Sequence, residues 1–257
     1  MTAQLYFGDC LDLMPGLPDG SIDMVLCDLP YGTTRNRWDT IIPLDRLWAE
    51  YERLVKPEGA IVLFSQMPFT AELVNSNRRD FKYEWIWEKA NGTGFLNAKK
   101  APLKVHENIC VFYRKQPTYN PQMRHGFKPY KTISGRASTN YGSQKPTQTA
   151  SNGERFPIDV IRFAAPGTNR ERPYKHPTQK PVDLLEYLIR TYTEGGDSIL
   201  DNCMGSGSTG VACVISGRNF IGMEQNESYF EMAQERIRAM QRVIGGETPM
   251  KAAGYKT

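Results

Sequence analysis

Two short stretches carry residue types that could do chemistry together. The first, Asp28-Leu29-Pro30-Tyr31, sets a carboxylate, a rigid proline and an aromatic ring side by side. A carboxylate accepts hydrogen bonds from an amine, as backbone carbonyls do, and the ring offers a face to a flat substrate. The second runs Asp201-Asn202-Cys203-Met204-Gly205-Ser206-Gly207-Ser208-Thr209-Gly210. Its glycines permit a sharp turn and a close approach of backbone to ligand. Taken alone, Asp28 to Tyr31 is equally an ordinary turn after a strand. The glycine loop favours a site built from both.

The flanking sequence supplies elements to position them. Ile22-Asp23-Met24-Val25-Leu26-Cys27 reads as a buried strand, so Asp28 ends it, and Pro30 with Gly32 turns the chain and puts Tyr31 on a loop. Ser198 to Leu200, the glycine loop, Val211 to Val214 and Phe220 to Glu224 read as strand, loop, helix, strand and terminal acid. Further strands are predicted at Leu5 to Phe7, Ala60 to Phe64, Phe81 to Glu88 and Ile109 to Tyr113. Helical spacing of apolar residues predicts helices at Leu44 to Leu54, Phe69 to Asn75, Pro181 to Ile189 and Glu227 to Gln241. Lys56-Pro57-Glu58-Gly59 reads as a turn, Asn91 to Lys104 as a loop, and Gly32 to Thr40 as a mobile loop bearing Trp38. Strands alternating with helices predict an α/β fold, with a mostly parallel sheet and helices on both faces. Ligands of such sheets gather beyond the carboxyl ends of the strands, where both stretches fall.

Composition narrows the class. A chain of 257 residues, 40% hydrophobic, fits one large α/β domain or one domain with a long insertion. It has no apolar run of about 18 residues and no signal-like start, so a cytoplasmic protein without membrane contact is expected. Cys10, Cys27, Cys110, Cys203 and Cys213 form no CxxC pair, and His106, His125 and His176 are scattered, so no metal site is expected. The formal net charge of +4 is uneven. From Arg114 to Lys180 there are thirteen basic and three acidic residues, a local +10, which leaves the rest at −6. Such asymmetry points to a polyanion partner. Gln116 to Arg172 is rich in Pro, Gly, Ser, Thr, Asn and Tyr, and Ile158-Asp159-Val160-Ile161 is its aliphatic cluster. It reads as an insertion or an extended binding arm.

Gly205-x-Gly207-x-x-Gly210 fits the dinucleotide fingerprint, with Glu224 placed to grip a ribose. A nicotinamide enzyme is therefore one reading. Against it, Asp201 at the strand end sits poorly beside a pyrophosphate but suits a ligand with a cationic amino group. The unit also stands late in the chain, whereas the usual dinucleotide fold starts with it.

Asp201 to Gly210 resembles the S-adenosylmethionine loop of amino-group DNA methyltransferases, and Asp28-Leu29-Pro30-Tyr31 resembles their catalytic Asp-Pro-Pro-Tyr motif. His176-Pro177-Thr178-Gln179-Lys180-Pro181 looks like the segment that leads into the cofactor loop. The order of catalytic motif, basic insertion and cofactor loop is similar to the permuted β class. Leu29 replaces the usual first proline, and Cys203 stands where the family often has Phe.

The resemblance implies a circularly permuted, Rossmann-like fold with a seven-stranded sheet. Residues 1–115 would form the catalytic half, 116–172 an inserted target-recognition region, 173–244 the cofactor half, and 245–257 a flexible tail. It implies methyl transfer from S-adenosylmethionine to adenine N6 in double-stranded DNA, with the base flipped out of the helix. Asp at the first motif position is typical of the adenine enzymes. Cytosine-N4 and RNA methyltransferases stay open as alternatives, and so does a non-catalytic nucleic-acid-binding module. The implied catalytic residues are Asp28, Leu29, Pro30 and Tyr31. The implied cofactor residues are Asp9, Cys10, Asp28, His176, Thr178, Gln179, Lys180, Asp201, Cys203, Gly205, Ser206, Gly207, Thr209 and Glu224. Among these, Glu224 would hold the ribose, Asp9 and Cys10 would lie near the adenine, and Lys180 and Thr178 would meet the methionine carboxylate. Arg124, Lys128, Arg136, Arg155 and Arg170 are candidates for DNA contact, while Tyr119, Tyr130 and Tyr141 read as packing residues. A homodimer and a cognate restriction endonuclease are partners implied by analogy.

Overall fold

The computed structural model describes residues 1–32, 40–134, 147–164 and 179–246. The chain forms two compact units: Met1–Asn120 with Asp159–Thr257, and Pro121–Ile158.

Five strands of the larger unit run parallel. They are β1 (Ala3–Phe7), β2 (Ile22–Asp28), β3 (Val55–Ser65), β9 (Ser198–Asp201) and β10 (Asn219–Glu224). β4 (Phe81–Thr93), β5 (Lys104–Phe112) and β8 (Val160–Arg162) extend the same sheet. The order is β1-β10-β9-β2-β3-β5-β4-β8, with β5 antiparallel to both its neighbours. Among the described residues this sheet has eight strands, one more than the seven expected. The addition is β8, formed by the aliphatic cluster, whose Ile161 pairs with Trp87 of β4 and is buried.

Alternation along the strands builds two cores. Met24 and Leu26 of β2 and Val62 and Phe64 of β3 point to one face, and there they meet α4 (Val182–Tyr192), α5 (Ser208–Ser216) and α6 (Glu227–Ile244). Val25, Cys27, Ile61 and Leu63 point to the other, against α1 (Cys10–Leu13), α2 (Leu44–Leu54) and α3 (Phe69–Ser76). A period of two thus accounts for both faces being apolar and covered. α2 shows the matching helical period, with Leu47, Trp48, Tyr51 and Leu54 buried. The connection after β9 leads to β10 on one side, and that after β2 leads to β3 on the other. The crevice between β9 and β2 is therefore the switch point where α/β sheets hold ligands.

Two local expectations are corrected. Lys56 to Gly59 is not a separate turn but an irregularity inside β3, where pairing jumps from Ile22–Val55 to Met24–Ala60. Gly59 is needed there, because a Cβ would lie 2.5 Å from Val55 and 2.9 Å from the Asp23 carbonyl. β4 continues to Thr93, into the stretch expected to be a loop, because Thr93 still pairs with Lys104. Among the described residues no helix is long and apolar enough to cross a membrane.

The smaller unit is a two-stranded antiparallel ribbon of β6 (Tyr130–Ser134) and β7 (Thr147–Ser151) with a braced base. Arg124 and Arg155 exchange backbone hydrogen bonds of 2.8 and 2.9 Å. Their guanidinium groups lie 5.2 and 5.3 Å from the Phe127 ring centre, and that of Arg155 also lies 4.3 Å from the Tyr130 ring. Arg155 donates to Ser151 Oγ and to the carbonyls of Glu154 and Lys128, and Arg124 donates to the Phe156 carbonyl.

Candidate active site

A cavity of about 750 Å³ opens at the carboxyl ends of β1, β2, β9 and β10. Asp28, Leu29, Pro30 and Tyr31 line it, together with Asp9, Cys10, Gln179, Lys180, Asp201, Cys203, Gly205, Ser206, Thr209 and Glu224. Sequence positions 28 and 201 meet because β2 and β9 are sheet neighbours. Gly207 is the described cofactor candidate that does not line the cavity. It turns away, with φ +77°, and a Cβ there would sit 2.8 Å from Ala233 Cβ on α6. Its role is close packing of loop on helix. His176 and Thr178 lie outside the described residues, as do Trp38, Arg136, Tyr141, Arg170 and 247–257 of the tail.

The glycine loop is tied down from three directions. Asp201, 3% exposed, accepts from Thr209 Oγ1 at 2.6 Å and from the Cys203 amide at 3.1 Å. Burial pushes its carboxyl up to about 6 despite those donors. Glu224 takes the Gly205 amide on one oxygen at 2.9 Å and the Asn226 amide on the other at 2.8 Å. Each oxygen keeps a lone-pair site for another donor. Burial raises this carboxyl too, and the backbone amides oppose it. From α6, Arg236 donates to the Ser206 carbonyl at 2.7 Å and to the Ser206 and Ser208 hydroxyls at 2.8 and 3.2 Å. Arg236 was not foreseen. Its signal is a cation on the apolar stripe of Ala233, Ile237 and Met240.

The wall beside β1 carries one carboxylate and a cluster of thiols. Asp9 caps α1 by accepting from the Leu11 amide at 2.8 Å. Asn202 points its amide at the sulfurs of Cys10 and Cys203, at 3.6 and 3.5 Å, and receives the Tyr51 hydroxyl at 2.6 Å. Burial raises the adjacent Cys27 thiol to about 12, so this sulfur cluster is an uncharged surface.

Asp28 sits among charges. Its Oδ1 accepts from the Tyr31 hydroxyl at 2.6 Å, and its Oδ2 accepts from Lys180 Nζ at 2.5 Å. Tyr31 stacks on Phe69, with ring centres 5.5 Å apart. Burial, then Asp28, holds the Tyr31 phenol well above its ordinary range, so it stays a donor. Lys180 Nζ also lies 3.2 Å from Glu107 Oε2, an ion pair without hydrogen-bond alignment. Lys89 pairs with the other Glu107 oxygen. Glu107 and Lys89 were missed by the sequence reading. β5 runs antiparallel, so its first residues reach the rim where the parallel strands end, and Glu107 faces Trp87 of β4. A glutamate opening the apolar run Ile109 to Phe112 is the signal that could have found it.

The sequence profile described as DNA methylase, covering N6 and N4 amino methyltransferases, matches residues 22–235. The chain belongs to this family. As a family member it is a DNA methyltransferase, and its fold is the family's Rossmann-like one. It is 28% identical to the DNA adenine methyltransferase YhdJ of Escherichia coli (strain K12), over 91% of this chain and 82% of that one. The solved M1.HpyAVI-SAM complex superposes with a TM-score of 0.62 at 24% identity, over 91% of this chain and 100% of that one. The PvuII DNA methyltransferase, described as cytosine-N4-specific, gives 0.68 at 15% identity, over 96% and 94%. The last two likenesses speak to the fold.

Proposed function

We propose that this DNA methyltransferase transfers a methyl group from S-adenosylmethionine to adenine N6 in duplex DNA, taking the flipped base against Asp28. The observation that carries the reading is the Asp28 carboxylate, which lines the cavity and is fixed there by Tyr31 on one oxygen and Lys180 on the other. Each oxygen keeps capacity for a further donor. An exocyclic amine is a poor nucleophile while its lone pair is delocalised into the ring. Asp28 and the backbone carbonyls after it can accept hydrogen bonds from its two hydrogens, favouring a pyramidal nitrogen with the lone pair localised on it. As positive charge develops on nitrogen, the carboxylate stabilises it. Asp rather than Ser at this position, and the similarity to an enzyme named for adenine, favour adenine over cytosine.

The donor set fits the cofactor. S-adenosylmethionine supplies an electrophilic methyl on a sulfonium and carries a cationic amino group. The carboxylates of Asp9, Asp28, Asp201 and Glu224 line the cavity and suit those positive charges. Glu224 would hold the ribose hydroxyls and Asp201 would face the ammonium. Gly205 and Ser206 would line the methionine portion. The residues 116–172 remain the candidate target-recognition region. Within the smaller unit, Arg124 and Arg155 are committed to its own backbone, so Lys128 and Lys131, both exposed, are better placed for phosphates.

The test is methyl transfer from labelled S-adenosylmethionine to unmethylated duplex DNA, followed by nucleoside mass analysis. N6-methyladenine at one short sequence is expected. N4-methylcytosine would overturn the choice of base, and label in RNA alone would overturn the substrate.

A further inference from the structure

We infer that Lys180 and Glu107 are positioning residues for Asp28: Lys180 holds it ionised and oriented as an acceptor for the target amine, and Glu107 sets how tightly Lys180 grips it. The inference rests on the proposed role of Asp28. It assigns Lys180 to the catalytic carboxylate instead of the cofactor carboxylate.

Geometry argues for it first. Lys180 is 8% exposed, at the entry to α4, and points its ammonium into a cage. Two carboxylates, Asp28 at 2.5 Å and Glu107 at 3.2 Å, form two sides. The rings of Phe64 and Tyr31, at 5.1 and 5.9 Å from Nζ, form the others. A buried ammonium in an aromatic and anionic cage is held in place. Lys89 completes the set by pairing with Glu107 and lying 5.1 Å from the Trp87 ring. Two ammonium groups and two carboxylates balance to zero, which lets the group stay charged inside the protein.

The arrangement answers a chemical need. A buried carboxylate without a partner takes up a proton. A protonated Asp28 would turn one oxygen into a donor, accept more weakly from an incoming amine and lose the negative charge that stabilises the methylated nitrogen. Burial raises Asp28, Lys180 pulls it back, and Glu107 pushes it up again. The other groups facing Asp28 are the Tyr31 hydroxyl, Asp201 at the end of β9, and the Cys27 thiol. None of them is a cation, so Lys180 alone supplies the direct positive charge among the described residues. Burial would lower Lys180, but Asp28 and Glu107 more than offset this and leave it raised. Lys180 and Lys89 likewise hold Glu107 below its ordinary value against burial.

The two positioning residues should therefore shift Asp28 in opposite directions. Lys180→Met should raise the Asp28 carboxyl, and with it the acid limb of the kcat–pH profile, by about 1–3 pH units. Glu107→Gln should lower both. Lys180→Arg, which keeps the charge, should stay within about one unit of the wild type. Two readouts are needed. The first is carbon-13 titration of aspartate-labelled protein without cofactor or DNA, with the Asp28 signal assigned by Asp28→Asn. The second is the kcat–pH profile, read beside S-adenosylmethionine affinity by calorimetry. A merely structural role would lower activity in all variants without moving the titration in opposite senses. An unmoved Asp28 in Lys180→Met, or a tenfold weaker cofactor with an unchanged acid limb, overturns the inference. If the wild type modifies cytosine or fails to transfer methyl groups, the proposed function fails, and the carbon-13 titration still decides this one.

Discussion

Gly207→Ala gives a sharp test of how the cofactor loop is held. The residue has φ +77°, in the left-handed region, where a Cβ costs about 1–2 kcal/mol. The new Cβ would also meet Ala233 Cβ at 2.8 Å and Ala233 Cα at 3.0 Å. Overpacking of this kind costs about 1–3 kcal/mol. Reduced freedom of the unfolded chain returns about 0.4–1 kcal/mol. The expected loss is about 2–4 kcal/mol, measured by urea unfolding at constant slope. Gly20→Ala is the control, since Gly20 has φ +59° and nothing within 4 Å of a Cβ. Only the backbone cost applies there, and a loss of about 1 kcal/mol is expected. Ala233→Gly should relieve the clash between the two methyl groups in the Gly207→Ala background. Recovery should be partial, because the new methyl still presses on the α6 backbone at position 233. A double-mutant cycle should show a favourable coupling of about 0.5–3 kcal/mol. If Gly207→Ala is no more damaging than Gly20→Ala, or if Ala233→Gly recovers nothing, the packing account is refuted.

Other outcomes follow from the same geometry. Asp28→Ala should cost about 10²–10³ in kcat while leaving cofactor affinity within a few-fold, checked by single-turnover transfer and calorimetry. Arg236→Met should leave the Ser206 carbonyl without its buried donor and cost about 1–3 kcal/mol, with weaker cofactor binding and an unchanged circular-dichroism spectrum. Asp201 is raised from 3.8 to about 6 by burial, so the folded protein binds this proton more tightly than the unfolded chain does. The stability this contributes is present below about pH 4 and is lost as pH rises through 6, roughly 3 kcal/mol in all. Asp201→Asn should flatten that decline in urea titrations between pH 4 and 6.5. An unchanged slope would show that Asp201 is not the group responsible.

The strand ends were legible because short apolar runs stop at charged residues. Asp28, Asp201 and Glu224 could be placed on one rim from that pattern alone. What could not be read depended on pairings distant in sequence. Glu107 and Lys89 reach the rim because β5 is antiparallel, and nothing in Lys104 to Phe112 announces a direction. Gly207 looked like its neighbours Gly205 and Ser206, but only the approach of α6 decides that it faces protein rather than cavity. Arg124 and Arg155 were candidates for DNA contact because their charge was visible, whereas the backbone carbonyls they also bind were not.

The strand order also sets a timetable. β1 pairs only with β10 among the described strands, and β2 waits for β9 on one side. A ribosome adding about 5–20 residues per second completes the sheet roughly 10–40 s after β1 has emerged. Through that interval β1 lacks its partner strand, and the Asp28 rim faces a missing wall. The nascent chain therefore has no assembled site until β10 is made, so a chain stalled before β10 should transfer no methyl group to DNA.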